Sequence, residues 1–174
     1  MNKLLIGWLA LLVIGSCASN AQQGNIDLTK IEHLAGKGRV QDREYNKSVI
    51  VDQLLAQRTE AIPFLIAKLD DETRLAAPVM NHWYQVYVGD VALVILTDFF
   101  TDNTWQKPTI PGVDWNTFLQ RGNDVDLTAE QVLRNYIAQH GRAEIKRRWE
   151  QIWQQHKDQI IWDDKQHCFT VRKH

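Results

Sequence analysis

Three consecutive acidic residues, Asp70, Asp71 and Glu72, form the first group whose side chains could carry out chemistry. With His82 and Asp90 they offer carboxylate oxygens and an imidazole nitrogen, which can bind a divalent cation or exchange protons with a substrate. Their spacing matches no known metal motif, and solvated loop acids plus one helix cap explain the same residues. We therefore expect no metal and no cofactor. A hydrolase or metal-dependent enzyme that uses His82 with the nearby acids is the alternative hypothesis.

A second group is aromatic and lies on the long connection between residues 74 and 88: His82, Trp83, Tyr84 and Tyr87. Aromatic residues on such a connection either cover the core as a lid or anchor a partner, because Trp and Tyr are enriched at binding hot spots. The lid is the simpler interpretation. The same four residues are our candidates for binding a partner protein.

A third group is basic and comprises Arg142, Lys146, Arg147 and Arg148. It could contact anionic lipid headgroups or an acidic partner. A solvated helix face is the simpler interpretation, because Glu144 and Glu150 offset the charge locally. Residues 17–174 carry a net charge of −2, since residues 1–16 contribute only Lys3. Proteins that bind nucleic acid usually carry a basic excess, so we expect no nucleic-acid partner.

The sequence contains no recognisable catalytic motif. It has no Gly-x-Ser-x-Gly, His-Glu-x-x-His, Cys-x-x-Cys or phosphate-binding glycine loop. Cys168 follows His167 directly, but adjacency in sequence does not make a nucleophile and its base. We interpret Cys168 as a buried, inert thiol and expect that the protein is not an enzyme.

The first residues have the architecture of a secretory signal. One positive charge at Lys3 precedes an apolar run from Leu4 to Ile14, which is short for a membrane span. The following Ile14-Gly15-Ser16-Cys17 resembles a bacterial lipobox. The resemblance implies that residues 1–16 are removed and that Cys17 is lipidated, and Ala18 next to it implies the outer membrane rather than the inner one.

The alternatives are ordinary secretion with cleavage after Ala21 and an uncleaved N-terminal anchor. In the lipoprotein interpretation, residues 17–26 are a flexible tether on the periplasmic face, and residues 27–174 form one folded domain. Several acyl chains would hold that domain firmly, since each buried CH₂ contributes about 0.8 kcal/mol.

The elements that position these groups are predicted to be helices. Residues 86–100 are the most apolar stretch outside the N-terminus; they could be a buried strand or helix, and their length and Asp90 as an N-cap favour a helix. Because this helix is apolar nearly all round, other helices must cover it. We expect those at residues 27–35, at 48–57, from an N-cap at Thr59 to Leu69, at 114–119, from a capping box at Thr128 to 140, and at 142–157.

Short extended pieces are expected at residues 160–162 and 167–171, folded back onto the helices. The pieces Ala61–Ile66 with Leu69–Asp71, and Val88–Ala92 with Leu96, resemble HEAT-type helical repeats. The resemblance implies an all-α domain of HEAT-like helical pairs with a short extended C-terminal tail, of a kind with no known activity. No clean second copy of the repeat is present, so we expect a degenerate, closed version.

Together these features predict a lipid-anchored protein of the bacterial envelope that binds or scaffolds another protein. An immunity protein that blocks a toxin delivered into the periplasm is one specific version. A toxin gene next to its own would distinguish that version.

Overall fold

In the part of the chain that the structure describes, helices predominate and the one sheet is a small antiparallel pair of strands near the C-terminus. The computed structural model describes residues 26–32, 34, 48–76, 79, 85–102, 107–113 and 129–172. Its elements are α1 (Val49–Gln57), α2 (Ala61–Ala67), α3 (Val88–Phe99), α4 (Ala129–His140), α5 (Arg142–His156), β1 (Ile160–Asp163) and β2 (Cys168–Val171). The predicted signal segment, the lipobox and Cys17, the helix at 114–119 and the cap at Thr128 lie outside the described residues.

The apolar stretch at the middle of the chain is the central helix α3, as predicted. Ten of its twelve residues are buried. Helix α2 packs against it, and α5 reaches it at both ends, through Arg142 beside Asp90 and through Trp149 beside Phe100. Its predicted cap is wrong, because the helix begins one turn earlier. Tyr87 is the N-cap, and Asp90 lies at the third helical position, where its Oδ2 accepts the backbone N–H of Tyr87 at 2.9 Å.

Gly89 allows the start of α3 to lie directly against the end of α2. A Cβ atom at this position would lie 2.5 Å from the carbonyl oxygen of Leu69 and 3.2 Å from that of Asp71. The Gly89 N–H donates to that same Asp71 carbonyl at 2.9 Å. Only a residue without a side chain fits this approach.

Helices α1 and α2 confirm the predicted amphipathic pair. Ile62, Leu65 and Ile66 are buried, and so is Leu69 in the turn that follows α2. Thr59 is not an N-cap, because a 3-10 turn at Arg58–Glu60 already leads into α2. Arg58 takes a positive φ of 56° there, and its guanidinium lies 5.4 Å from the centre of the Trp162 ring.

The predicted helix at residues 27–35 is wrong. Among residues 27–32 and 34, only Leu28–Lys30 form a 3-10 turn, and Ile31 is already extended. Ile31 and Leu34 are buried as expected, but long-range contacts hold this segment, including a bond from the Leu34 N–H to the Val79 carbonyl at 2.9 Å.

The C-terminal third confirms the predicted helices and extended pieces. Gly141, at φ 76°, separates α4 from α5 and donates its N–H to the Ile137 carbonyl. In the sheet, Ile160 pairs with Val171 and Asp163 with Cys168. The Phe169 ring lies 5.5 Å from that of Phe99 and 5.8 Å from that of Phe100, so the hairpin closes the far end of α3. Cys168 is fully buried, as predicted.

Candidate interaction site at the start of the central helix

The two ends of the connection between α2 and α3 lie side by side. We call residues 71–75 the first stem, residues 86–89 the second stem and the two together the neck, because their backbones pair in antiparallel fashion. Leu75 N–H donates to the Val86 carbonyl, and Val88 N–H donates to the Thr73 carbonyl, each at 2.9 Å. Arg74 and Tyr87 form the bridge between these bonds. Between the two stems, Val79 is also held to the body, because it is buried and its carbonyl accepts the Leu34 N–H at 2.9 Å.

Asp71 fixes the first stem. Its carboxylate accepts the Thr73 N–H at 3.0 Å and the Lys68 ammonium at 3.0 Å. Hydrogen bonds from the hydroxyl and N–H of Thr73, with a smaller contribution from Lys68, lower the pKa of Asp71 to about 2. The carboxylate is therefore ionised at neutral pH and engaged within its own loop.

Asp90, Arg142 and Tyr87 form a closed set of contacts at the second stem. Asp90 is 1% exposed, and its Oδ1 lies 2.6 Å from Nη1 of Arg142. This contact is a close ion pair without the alignment of a hydrogen bond. The Arg142 guanidinium also lies 5.1 Å from the centre of the Tyr87 ring, within the range of a cation–π interaction. One cation thus neutralises the buried acid and covers the aromatic ring beside it.

Lys146, one turn further along α5, bonds to the end of α2. Its Nζ donates to Asp70 Oδ1 at 2.8 Å and to the Ala67 carbonyl at 3.2 Å. A cation is favourable there, because the last carbonyls of a helix carry a partial negative charge. Arg142 and Lys146 therefore attach α5 to both α3 and α2.

The other two cations of the predicted basic surface bind an acid on their own helix. Glu144 accepts from Arg147 at 2.7 Å and from Arg148 at 2.8 Å. These bonds, Arg147 first, lower the pKa of Glu144 to about 2, and Glu144 raises the pKa of Arg147. All four predicted basic residues thus have an acidic partner within the chain.

The candidate aromatic residues are only partly described. Tyr87 lies half-buried in the second stem, and its hydroxyl donates to Gln85 at 3.2 Å. His82, Trp83 and Tyr84 lie outside the described residues. Whether the aromatic group is a lid or an interface therefore stays a prediction.

The predicted acids do not share one cation. Asp70, Asp71 and Asp90 each face a different basic side chain: Lys146, Lys68 and Arg142 respectively. Within the described ranges, no three His, Cys, Asp or Glu side chains are grouped so that they could hold a metal ion. The contacts assign these acids to holding the neck and α5.

Sequence reasoning missed the structural role of Arg142 and Lys146. Both have the spacing of the buried residues of α5, since Arg142 lies three residues before Ile145 and Lys146 three residues before Trp149. Residues three apart lie on the same face of a helix, so this spacing already indicated that Arg142 and Lys146 share the buried face of α5. Their partners, by contrast, are 52 and 76 residues away in sequence.

No protein-family model, curated protein or solved structure matches this chain. The case for a function therefore depends on the residues and contacts above. Among the described helices, none combines the length and the apolar character needed to cross a bilayer.

Proposed function

We propose that this chain is a lipid-anchored protein of the bacterial envelope whose helical domain binds another protein. The lipobox-like Ile14–Cys17 supports the anchor, and Ala18 supports the outer membrane. Helices α1 to α3 would be a degenerate version of HEAT-like pairing, supported by the packing of α2 against α3.

The observation that carries the binding hypothesis is the neck. An aromatic-rich segment is inserted between two stems whose backbones pair, directly before the most buried helix of the domain. A loop whose ends are held together by a rigid scaffold is a common arrangement for recognition. The inserted residues include Trp83 and Tyr84, which are of the types enriched at binding hot spots.

The anchor is tested by the mass of the mature N-terminus. We expect a diacylglycerol-modified and N-acylated Cys17. A mature protein that begins at Gln22 without lipid would refute the anchor.

Binding is tested by capture from envelope extracts with the Cys17→Ser form, which lacks the lipid attachment site. We expect a discrete protein to be retained, and to be lost when Trp83 and Tyr84 are both replaced by Ala. Val49→Ala is the matched control, because Val49 is an exposed apolar side chain on α1, 66% accessible, outside the neck.

The control should retain the protein, and the urea midpoint of the double variant should be unchanged. A large drop in that midpoint would mean that the aromatic residues are a lid. If the retained protein is a toxin, the chain is an immunity protein, and co-expression should then protect cells from it.

A further inference from the structure

We propose that Arg142 is a positioning residue that holds Tyr87 and the neck, and is not a charge presented to a partner. Its side chain is only 17% exposed, and its guanidinium lies between the Asp90 carboxylate and the Tyr87 ring. A cation in that position has little freedom to meet a ligand. Its contacts instead constrain the second stem.

The constraint acts on Tyr87 from two sides. Its backbone N–H donates to Asp90 Oδ2, and its ring is covered by Arg142, which is itself paired with Asp90 Oδ1. The backbone and the ring of one residue are therefore fixed by the same buried ion pair. Since Tyr87 bridges to Arg74, this constraint extends to the first stem.

The polar groups packed around this point already have partners. From the first stem, Asp71 faces Lys68 and Thr73. From α5, Lys146 faces Asp70. Arg142 is thus the cation that joins α5 to the neck itself, whereas Lys146 joins α5 to the end of α2.

Two variants on the same helix separate positioning from general stability. Arg142→Met keeps an unbranched apolar stem and removes the charged group, and Lys146→Met does the same one turn away. If Arg142 positions the neck, its replacement should loosen the neck more than it loosens the core of α3. Lys146→Met should weaken both to the same extent.

The measurement is amide hydrogen exchange on the whole chain in its Cys17→Ser form. The neck amides are those of Leu75, Val88 and Gly89, and the reference amide is that of Ile95 in α3. Arg142→Met should raise exchange at the neck amides at least about tenfold relative to Ile95, whereas Lys146→Met should leave the ratio unchanged. Arg142→Lys should restore part of the protection, because it keeps the charge but not the planar group over the ring.

Asp90→Asn provides a second route if Arg142→Met does not fold. An amide oxygen can still accept the Tyr87 N–H, but it cannot hold Arg142 by charge. The neck amides should again exchange faster than Ile95. Equal acceleration of the neck and of Ile95 in both variants would overturn the positioning role.

The importance of Arg142 for binding rests on the proposed function, but the positioning role and the proposed function can fail separately. Exchange requires no partner, so it tests the positioning role alone. A loosened neck with undiminished capture of the partner would support positioning and would count against the neck as part of the binding surface.

Discussion

The buried pair of Asp90 and Arg142 should make the stabilities of its two members strongly interdependent. Nη1 of Arg142 and Oδ1 of Asp90 lie 2.6 Å apart, and the carboxylate is 1% exposed, so removing Arg142 leaves a buried carboxylate with little access to water. Breaking such a pair by removing one member typically costs about 3–5 kcal/mol, whereas replacing both members can be close to neutral only when well-packed apolar residues of similar volume take their place.

The perturbation is a double-mutant cycle of Asp90→Asn and Arg142→Met. We expect about 3 kcal/mol of destabilisation from Arg142→Met, which leaves an unpaired buried carboxylate. Asp90→Asn should cost about 2 kcal/mol, because the amide still accepts the Tyr87 N–H but leaves a cation unpaired. The double variant should cost about 3 kcal/mol in total, a coupling of roughly 2 kcal/mol.

The assay is urea unfolding of the Cys17→Ser form, followed by tryptophan fluorescence. Trp149 is a suitable reporter because it is buried, with its ring 5.4 Å from that of Phe100. The matched cycle is Asp70→Asn with Lys146→Met. That pair is 44% and 25% exposed, so its coupling should stay below about 1 kcal/mol.

Additivity would refute the reasoning. If the Asp90 and Arg142 costs add within about 0.5 kcal/mol, the two charges do not depend on each other. A coupling no larger than that of the exposed pair would lead to the same conclusion.

Three other predictions follow from the local geometry. Gly89→Ala should destabilise the fold by about 2 kcal/mol or more, because the new methyl group would meet the Leu69 carbonyl; an unchanged urea midpoint would contradict this close approach. Arg58→Gly should be more stable than Arg58→Ala by about 1 kcal/mol, since both lose the guanidinium but only glycine relieves the positive φ; the reverse order in thermal unfolding would count against strain at this residue. Asp71 has its pKa lowered to about 2, so its contribution is complete above its ordinary value near 3.8 and is lost as the pH falls towards 2. After allowance for solvent screening at this surface site, Asp71→Asn should therefore remove about 1 kcal/mol of the acid-dependent loss of stability measured between pH 5 and pH 2, and an identical pH profile would rule this out.

The elements best predicted from the sequence are those with long apolar patterns. The run through α3 is too apolar to be anything but buried, and the stripe of Ile145, Trp149 and Ile152 fixes the buried face of α5. The first residue of α3 was harder to predict. An acid near the start of a helix can be the N-cap itself, or it can lie at the third helical position and accept the backbone N–H of the N-cap. Only the pairing of Tyr87 with the first stem decides between these.

The segment at residues 27–35 shows the opposite case. Its apolar spacing suits a helix, but a stretch this short forms one only with tertiary support. The structure uses Ile31 and Leu34 in long-range contacts instead, with Leu34 bonded to Val79. The partners of Arg142 and Lys146 were equally hidden, since nothing local in a sequence joins residues more than fifty positions apart.

The most direct test of the central claim is site-specific photo-cross-linking in cells that make the anchored protein. A photoreactive residue is placed at position 83, between the stems of the neck, or at position 49 on α1. We predict a discrete cross-linked adduct with one envelope protein from position 83 and none from position 49. No adduct from position 83, or the same adducts from both positions, would contradict the claim that this domain binds a partner through its aromatic segment.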